Sequence, residues 1–442
     1  MNKQEEKQHD KSLTLTIVTG FAIFTTLFGA GNFMIPPTLG MIAGQSSLLA
    51  ALGFVITTVF LPLTGLIGSF LFDGDYKAFF ARLGRIPGAL LIAICMFIIG
   101  PGLVLPRIIH LCYKMLHPFI PMMSLLVFAL IFSLATFLLA YRPTKLIDIL
   151  GRYIMPIKLF FVGLLIVLGF VKGSELAVST MSNADLLGKS MFDGYGTLDL
   201  LGTIFFGSVY LNIFKKNLGV RETYDVKELA KKGLIASLVG GSILAVVYTG
   251  MIFLGAYQGA GLEGLDQAAI LSAISIRVVG IYGGLFGALA LMVACLATMI
   301  ALSTVIADYI NTELTRNRLG FIPSLVIILA GGIIFSLLDL KQLMVYSNIA
   351  GFILYPVLIT LTLCNVCYKI FGFKPVKIPV LIVFLATLFF HFDGVQATKD
   401  LLYPDHEYVV TEMVIKDVPE QDIVEDEIVE DEIIEDDGAS QA

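Results

Sequence analysis

The sequence predicts an all-α polytopic membrane protein of about eleven transmembrane helices. It reads as a 5+5 inverted repeat in which helices 1 and 6 are discontinuous. Three observations predict this. Of 442 residues, 57% are hydrophobic and 14% charged, with a mean hydropathy of +0.88, far from a soluble mixture. The first hydrophobic segment is interrupted by Leu27-Phe28-Gly29-Ala30-Gly31-Asn32-Phe33-Met34-Ile35-Pro36-Pro37, where glycines, an amide and two prolines oppose a continuous helix. A second interruption, Gly207-Ser208, falls at mid-depth of the sixth segment.

A hydrocarbon core of about 30 Å needs about 20 apolar residues per helix. Segments of that kind lie near 13–43 (interrupted), 47–72, 87–109, 119–140, 153–171, 198–214, 233–257, 283–307, 321–338, 343–368 and 378–392. The first follows a charged stretch, Lys3 to Lys11, but no small-residue cleavage site closes it, so it reads as a retained span. Five spans separate the two interruptions, and an odd number of helices per half reverses its orientation. The expected organisation is a leading segment 1–12, repeats at 13–171 and 198–368, an additional helix 378–395 and an acidic tail 396–442.

With the N-terminus on the cytoplasmic side, that side collects twenty of the 29 Lys and Arg residues and the other side eight, leaving Lys158 inside a span. Eleven spans then place the C-terminus outside. From Glu420 to Asp437, eleven of eighteen residues are acidic, a run expected to repel itself and stay disordered. The five cysteines are scattered over spans and their ends and imply no disulfide framework; Cys364-Asn-Val-Cys367 lacks a second ligand pair.

A bilayer tolerates broken backbone only where protein or a water-lined cavity satisfies the freed N–H and C=O groups, so the interruptions imply a buried site. Gly31, Asn32 and Phe33 would offer free N–H groups and the positive end of a helix dipole to an anion. Carbonyls near Phe28 and Gly29, and around Phe206 and Gly207 with Ser208 beside them, would accept from an ammonium. Leu103, Phe205 and Phe206 would line an apolar pocket or simply pack. No acid is expected at the centre, which favours neutral substrates. Ser303 and Thr304, with the Ile300 carbonyl one turn earlier, offer uncharged oxygens suited to a monovalent cation; such hydroxyls also bond back to the preceding turn. Lys158, costly in mid-span, reads as a functional group, as a partner of the carbonyls freed at the first break, or as a side chain that snorkels toward an interface. Arg107 and Asp199 fall at span ends on one side and read as an outer gate or as surface groups.

The stretch Phe28-Gly29-Ala30-Gly31-Asn32 with Pro36-Pro37, Gly100-Pro101 and Pro106-Arg107 in span three, Pro156-Ile157-Lys158 in span five, and Asp199-Leu200-Leu201-Gly202 with Phe206-Gly207 and Asn212 in span six resemble the bacterial branched-chain amino acid:cation symporters of the BrnQ family. The likeness runs from about residue 13 to 395. It implies a LeuT-like fold in a bacterial inner membrane, and import of leucine, isoleucine and valine driven by sodium held between the span-eight hydroxyls of Ser303 and Thr304 and the first break at Ala30. Some proton-coupled proteins of that fold carry a span-five lysine where sodium would sit, so a proton-coupled carrier using Lys158 is the alternative. The family pattern has twelve spans, against eleven here. No cofactor beyond the coupling ion and no nucleic-acid partner is expected; the partners are the small-molecule substrate and the lipid bilayer. A channel would need a continuous polar pore, and an intramembrane hydrolase would need Ser208 as nucleophile with Lys158 as base.

Overall fold

A computed structural model of the chain describes residues 3–142, 149–173, 176, 179, 181–217, 226–265 and 267–402. Its regular elements are helices: α1 (Lys3–Leu27), α2 (Ala30–Ala43), α3 (Ser47–Val55), α4 (Leu61–Leu71), α5 (Tyr76–Ala81), α6 (Arg85–Phe97), α7 (Val104–Leu116), α8 (Leu125–Ala140), α9 (Met155–Val171), α10 (Asn183–Tyr195), α11 (Asp199–Asn217), α12 (Val226–Gln258), α13 (Gln267–Val279), α14 (Ile281–Tyr309), α15 (Phe321–Phe335), α16 (Leu340–Phe371) and α17 (Lys377–Leu402). Among the described residues, 6 helical stretches are long and apolar enough to cross a membrane, and shorter apolar helices fill the remaining expected spans. α17 runs on to Leu402, so residues 396–402 are helical; the rest of the expected acidic tail lies outside the described residues.

The first span breaks where the sequence indicates. α1 ends at Leu27, Gly29 is extended (φ −101°, ψ −159°), and α2 starts at Ala30. Pro36 and Pro37 do not add a second break but lie inside α2, where they remove two backbone donors.

The sixth span breaks elsewhere than expected. α11 runs uninterrupted through Gly207 and Ser208, and the discontinuity lies upstream at Gly196-Thr197-Leu198, between α10 and α11. Leu198 takes φ +62° there, a left-handed conformation that strains a branched side chain and marks a sharp change of direction. Gly207 serves packing instead, since a β-carbon at that position would stand 2.5 Å from Ser69 Cβ. Ser208 Oγ donates to the Phe205 carbonyl at 2.7 Å, within its own helix.

The third span bends rather than breaks. Gly100 (φ −99°, ψ −128°) and Pro101 interrupt the wide turn Ile98–Gly102 that joins α6 to α7.

Bare backbone joins the first span to α12. A β-carbon at Gly20 would stand 2.8 Å from the Ala236 carbonyl oxygen, and one at Gly240 would stand 2.6 Å from the Gly20 carbonyl oxygen. Past the break, Gly40 faces the Ile252 carbonyl and Gly255 faces the Pro37 carbonyl too closely for any side chain. Such small-residue contacts take the place of the hydrophobic drive that lipid cannot supply.

At the end of the bundle that carries α5, Arg82 ties several elements together. Its Nη1 donates to the Cys364 carbonyl at 3.1 Å and Asn365 Oδ1 at 2.9 Å, its Nη2 donates to the Lys374 carbonyl at 2.8 Å, and the guanidinium lies 4.1 Å from the Tyr368 ring centre. Lys77 on α5 pairs with Glu313 beyond α14 at 2.9 Å, and the hydrogen bond to Glu313 raises the Lys77 pKa.

Candidate functional site

A helix end leaves its last carbonyls without intrahelical partners, and a break at membrane depth must find partners for them. At the end of α1 the chain supplies these itself. The Lys158 ammonium, from α9, donates to the Thr25 carbonyl at 2.9 Å, to the Phe28 carbonyl, and to the Ala294 carbonyl of α14 at 3.4 Å. Thr298 Oγ1 donates to the Thr26 carbonyl at 3.0 Å. Asn32 Nδ2 and the Gly29 amide, the latter at 2.8 Å, donate to the Leu27 carbonyl. Lys158 is 0% exposed, and its ammonium also lies 5.0 Å from the Phe28 ring centre.

The second break is held in the same way. Arg107, from α7, donates from Nη1 to the Gly196 carbonyl at 2.8 Å and from Nη2 to the Thr197 carbonyl at 3.4 Å. Thr197 Oγ1 turns back to the Gly194 carbonyl at 2.8 Å. The first turn of α11 is met by Tyr355 of α16, whose hydroxyl accepts from the Leu200 amide at 3.0 Å.

A narrow cavity lies between the two breaks, with about 30 Å³ open to water centres, room for one or two waters. Its polar wall is Gly29, Gly31, Asn32, Arg107, Thr197 and Asp199, with Thr26 and Thr298 below. Its apolar wall is Ile99, Val104, Ile108, Leu198, Phe206 and Leu302. Asp199 is half-buried in this wall and accepts from Asn32 Nδ2 at 2.9 and 3.1 Å.

Of the candidate site residues, the structure places Gly29, Gly31, Asn32 and Phe206 around this one cavity, and adds Arg107 and Asp199. These two do not form a gate at the edge of the bundle. They line the centre, because the break that presents Asp199 is at 196–198 and not ten residues later. The expectation of a centre without an acid fails for the same reason. Phe28 is buried against Phe24, Phe33 and Tyr248, and its carbonyl is taken. Phe33 faces a separate apolar cleft with Phe161 and Leu165. Phe205 stacks on Phe80 at 5.6 Å, and Leu103 stands at the bend before α7; neither lines the cavity. Gly207 and Ser208 lie within α11, away from the break.

The proposed ion ligands do not gather at the break either. Ala30 opens α2, but Thr304 Oγ1 donates to the Ile300 carbonyl at 2.7 Å in its own helix, and Ser303 Oγ is buried without a partner. The α14 groups that reach the break are the Ala294 carbonyl and Thr298, which the sequence reading missed. Their signal was positional: Thr298 precedes the Ser303-Thr304 pair in the same helix. Ser208 and Lys158 engage different carbonyls, so no nucleophile–base pair forms.

The sequence matches the family described as "Branched-chain amino acid transport protein" over residues 12–419. It is 30% identical over 398 residues to the branched-chain amino acid permease BrnQ of Bacillus subtilis, covering 87% of this chain and 88% of that protein. It is 31% identical to the branched-chain amino acid transport system 3 carrier protein of Pseudomonas aeruginosa, covering 84% and 85%. Among solved structures, the Eremococcus coleocola manganese transporter matches with a TM-score of 0.61 at 15% identity, covering 91% of this chain and 92% of that one. MhsT in complex with L-phenylalanine matches with a TM-score of 0.52 at 16% identity, covering 84% and 98%. At these identities the structural likeness speaks for the fold alone.

Proposed function

Since the chain belongs to the branched-chain amino acid transport protein family, and so is a membrane carrier rather than an enzyme, we propose that it moves leucine, isoleucine and valine across the membrane by alternating access, with Lys158 as the coupling group. The substrate sits between the breaks at 28–29 and 196–198. Its branched side chain faces Ile99, Val104, Ile108 and Phe206, a wall without polar side chains and therefore suited to aliphatic groups. Because the cavity has room for only one or two waters, admitting an amino acid requires the two repeats to move apart, as inverted-repeat carriers do.

The observation that carries the coupling assignment is the Lys158 ammonium, which holds the Thr25, Phe28 and Ala294 carbonyls. These oxygens form the kind of cage a free sodium ion would need, and the chain has placed its own cation in it. Loss of a proton from Lys158 would loosen the first break from α9 and α14, leaving the Thr298–Thr26 hydrogen bond as its remaining tie to α14, and regaining it would restore the full link. A second reading rests on Ser303, whose buried hydroxyl lacks a partner and could accept sodium with Ile300 and Thr304. The Lys and Arg distribution supports an N-terminus on the cytoplasmic side, and the bacterial relatives support a bacterial inner membrane. The two repeats are then best drawn as 13–171 and 183–371, with α10 as the outer half of the sixth span.

Leucine uptake into proteoliposomes tests this directly, with a proton gradient or a sodium gradient imposed separately at clamped membrane potential. Concentration driven by protons alone supports Lys158. Concentration driven by sodium alone overturns the Lys158 assignment in favour of Ser303 and Thr304, and no uptake under either gradient overturns the substrate assignment.

A further inference from the structure

We infer that Asp199 and Arg107 read the two ends of an amino acid zwitterion, Asp199 with Asn32 taking the α-ammonium and Arg107 with the start of α2 taking the α-carboxylate. This rests on the amino acid reading above.

The argument begins with an accounting of acceptors. Backbone carbonyls at a helix break are the expected partners of a substrate ammonium, but here they are occupied. Those of Thr25 and Phe28 hold Lys158, that of Thr26 holds Thr298, and that of Leu27 holds Asn32. At the other break, Gly196 and Thr197 hold Arg107. What the cavity retains for an ammonium is the carboxylate of Asp199, together with one further atom. Asn32 is 2% exposed, and its amide nitrogen faces three acceptors, the Leu27 carbonyl and both Asp199 oxygens. That arrangement fixes the amide orientation, because reversing it would set oxygen against oxygen. Asn32 Oδ1 is consequently turned away from those acceptors and is buried without a partner. An ammonium has three N–H donors, which Asp199 and Asn32 Oδ1 can receive.

The donor side is complementary. Arg107 is 1% exposed, spends Nη1 and Nη2 on the second break, and keeps a buried Nε without a partner. Its guanidinium lies against the first turn of α2: a β-carbon on Gly31 would stand 3.1 Å from Nη2. No side chain caps α2, so the amides of that turn and Arg107 converge on one spot where a carboxylate is favoured by both charge and hydrogen bonding.

This pairing makes charge balance the selection rule. A zwitterion brings one charge of each sign to a partner of opposite sign. A molecule with only one of the two groups leaves the other partner uncompensated, a penalty on the order of 100-fold in affinity. The site should therefore reject 4-methylpentanoate, which is leucine without its amino group, and isopentylamine, which is leucine without its carboxylate.

Competition against radiolabelled leucine binding to the purified full-length protein tests the inference, with Asp199→Asn and Asp199→Glu alongside the wild type. The expected result is that wild type binds leucine and neither analogue competes. Asp199→Asn should weaken leucine by about 10- to 100-fold while 4-methylpentanoate becomes a competitor, and Asp199→Glu should restore part of the discrimination. An unchanged ratio of the two affinities in Asp199→Asn overturns the inference, because a purely structural role at the start of α11 would weaken both ligands together. Absence of leucine binding to the wild type overturns both this inference and the substrate reading. Should Asp199→Asn fail to fold, carbodiimide labelling of wild-type Asp199, read by peptide mass spectrometry, replaces it. Protection by leucine but not by 4-methylpentanoate supports the assignment, and equal labelling in all cases overturns it.

Discussion

Lys158 and Arg107 perform the same task at opposite breaks. Each is a fully buried cation from a neighbouring span, and each closes the carbonyl end of a discontinuous helix: Lys158 through Thr25 and Phe28, Arg107 through Gly196 and Thr197. The difference lies in the chemistry of the cation. A guanidinium cannot lose its proton in a protein, whereas a buried ammonium can. The Arg107 tie is thus permanent, whereas the Lys158 tie can be released.

Lys158→Met should separate exchange from accumulation. The substitution leaves the Thr25 and Phe28 carbonyls at the helix break without their ammonium partner, at about 1–3 kcal/mol each, so the melting temperature of the detergent-solubilised protein should fall measurably. Leucine counterflow should persist while proton-driven accumulation disappears. Lys158→Arg should not restore accumulation, because it supplies the charge without the titration; restored accumulation would show that charge alone suffices.

At Gly31 a single methyl group should be felt. Gly31→Ala places a β-carbon 3.1 Å from Arg107 Nη2, pushing the guanidinium off the first turn of α2. An increase in leucine KM of about tenfold or more is expected, corresponding to one charge-assisted hydrogen bond. Gly31→Leu should abolish uptake and leave membrane insertion intact.

Side-chain size should be set by Gly202 and Phe206. A β-carbon on Gly202 would stand 3.0 Å from the Phe206 ring, so Gly202→Ala drives that ring into the cavity. Leucine should lose to valine by about 10-fold or more, the value of one methylene in an apolar pocket. Competition of unlabelled valine and leucine for labelled leucine measures this, and an unchanged preference would remove Phe206 from the pocket.

Arg82→Ala should loosen one end of the bundle. Cys364 is buried, at 8% exposure, and its carbonyl is one of the Arg82 acceptors, so its reaction with maleimide should speed up severalfold. Lys77→Ala should matter less, since the Lys77–Glu313 side chains are 58% and 30% exposed and such pairs are worth about 0–1 kcal/mol. The raised pKa of Lys77 means that this small contribution is complete below the ordinary lysine pKa. It is lost only as the pH rises through the higher folded value.

The spans were legible because lipid imposes both length and composition, and the first break was legible because Gly29, Gly31 and Asn32 sit together in an apolar run. The sixth was misplaced for a physical reason. Gly207-Ser208 has the composition of a break, yet its glycine lets Ser69 approach and its hydroxyl is satisfied one turn back. The true break, Gly196-Thr197-Leu198, precedes a charged residue and so looked like the edge of the membrane. That one displacement also turned Asp199 from a lining residue into a supposed gate. For α14 the sequence offered hydroxyls at 298, 303 and 304, and only the depth of the first break, which no sequence period reports, selects Thr298.

The glycine seam along α12 limits how the first span can move. Gly20 and Gly240 meet on one side of the break, and Gly40 and Gly255 press on backbone on the other. α1 and α2 are thus two leaves bolted to a single beam through backbone contacts, with only the short branched side chains of Val239 and Ile23 beside the Gly20–Gly240 crossing. Such stiff rotamers take up little change of angle, so a tilt at Phe28 and Gly29 must bend the beam or carry a leaf along it to the next glycine step. The hinge comes with its own stops.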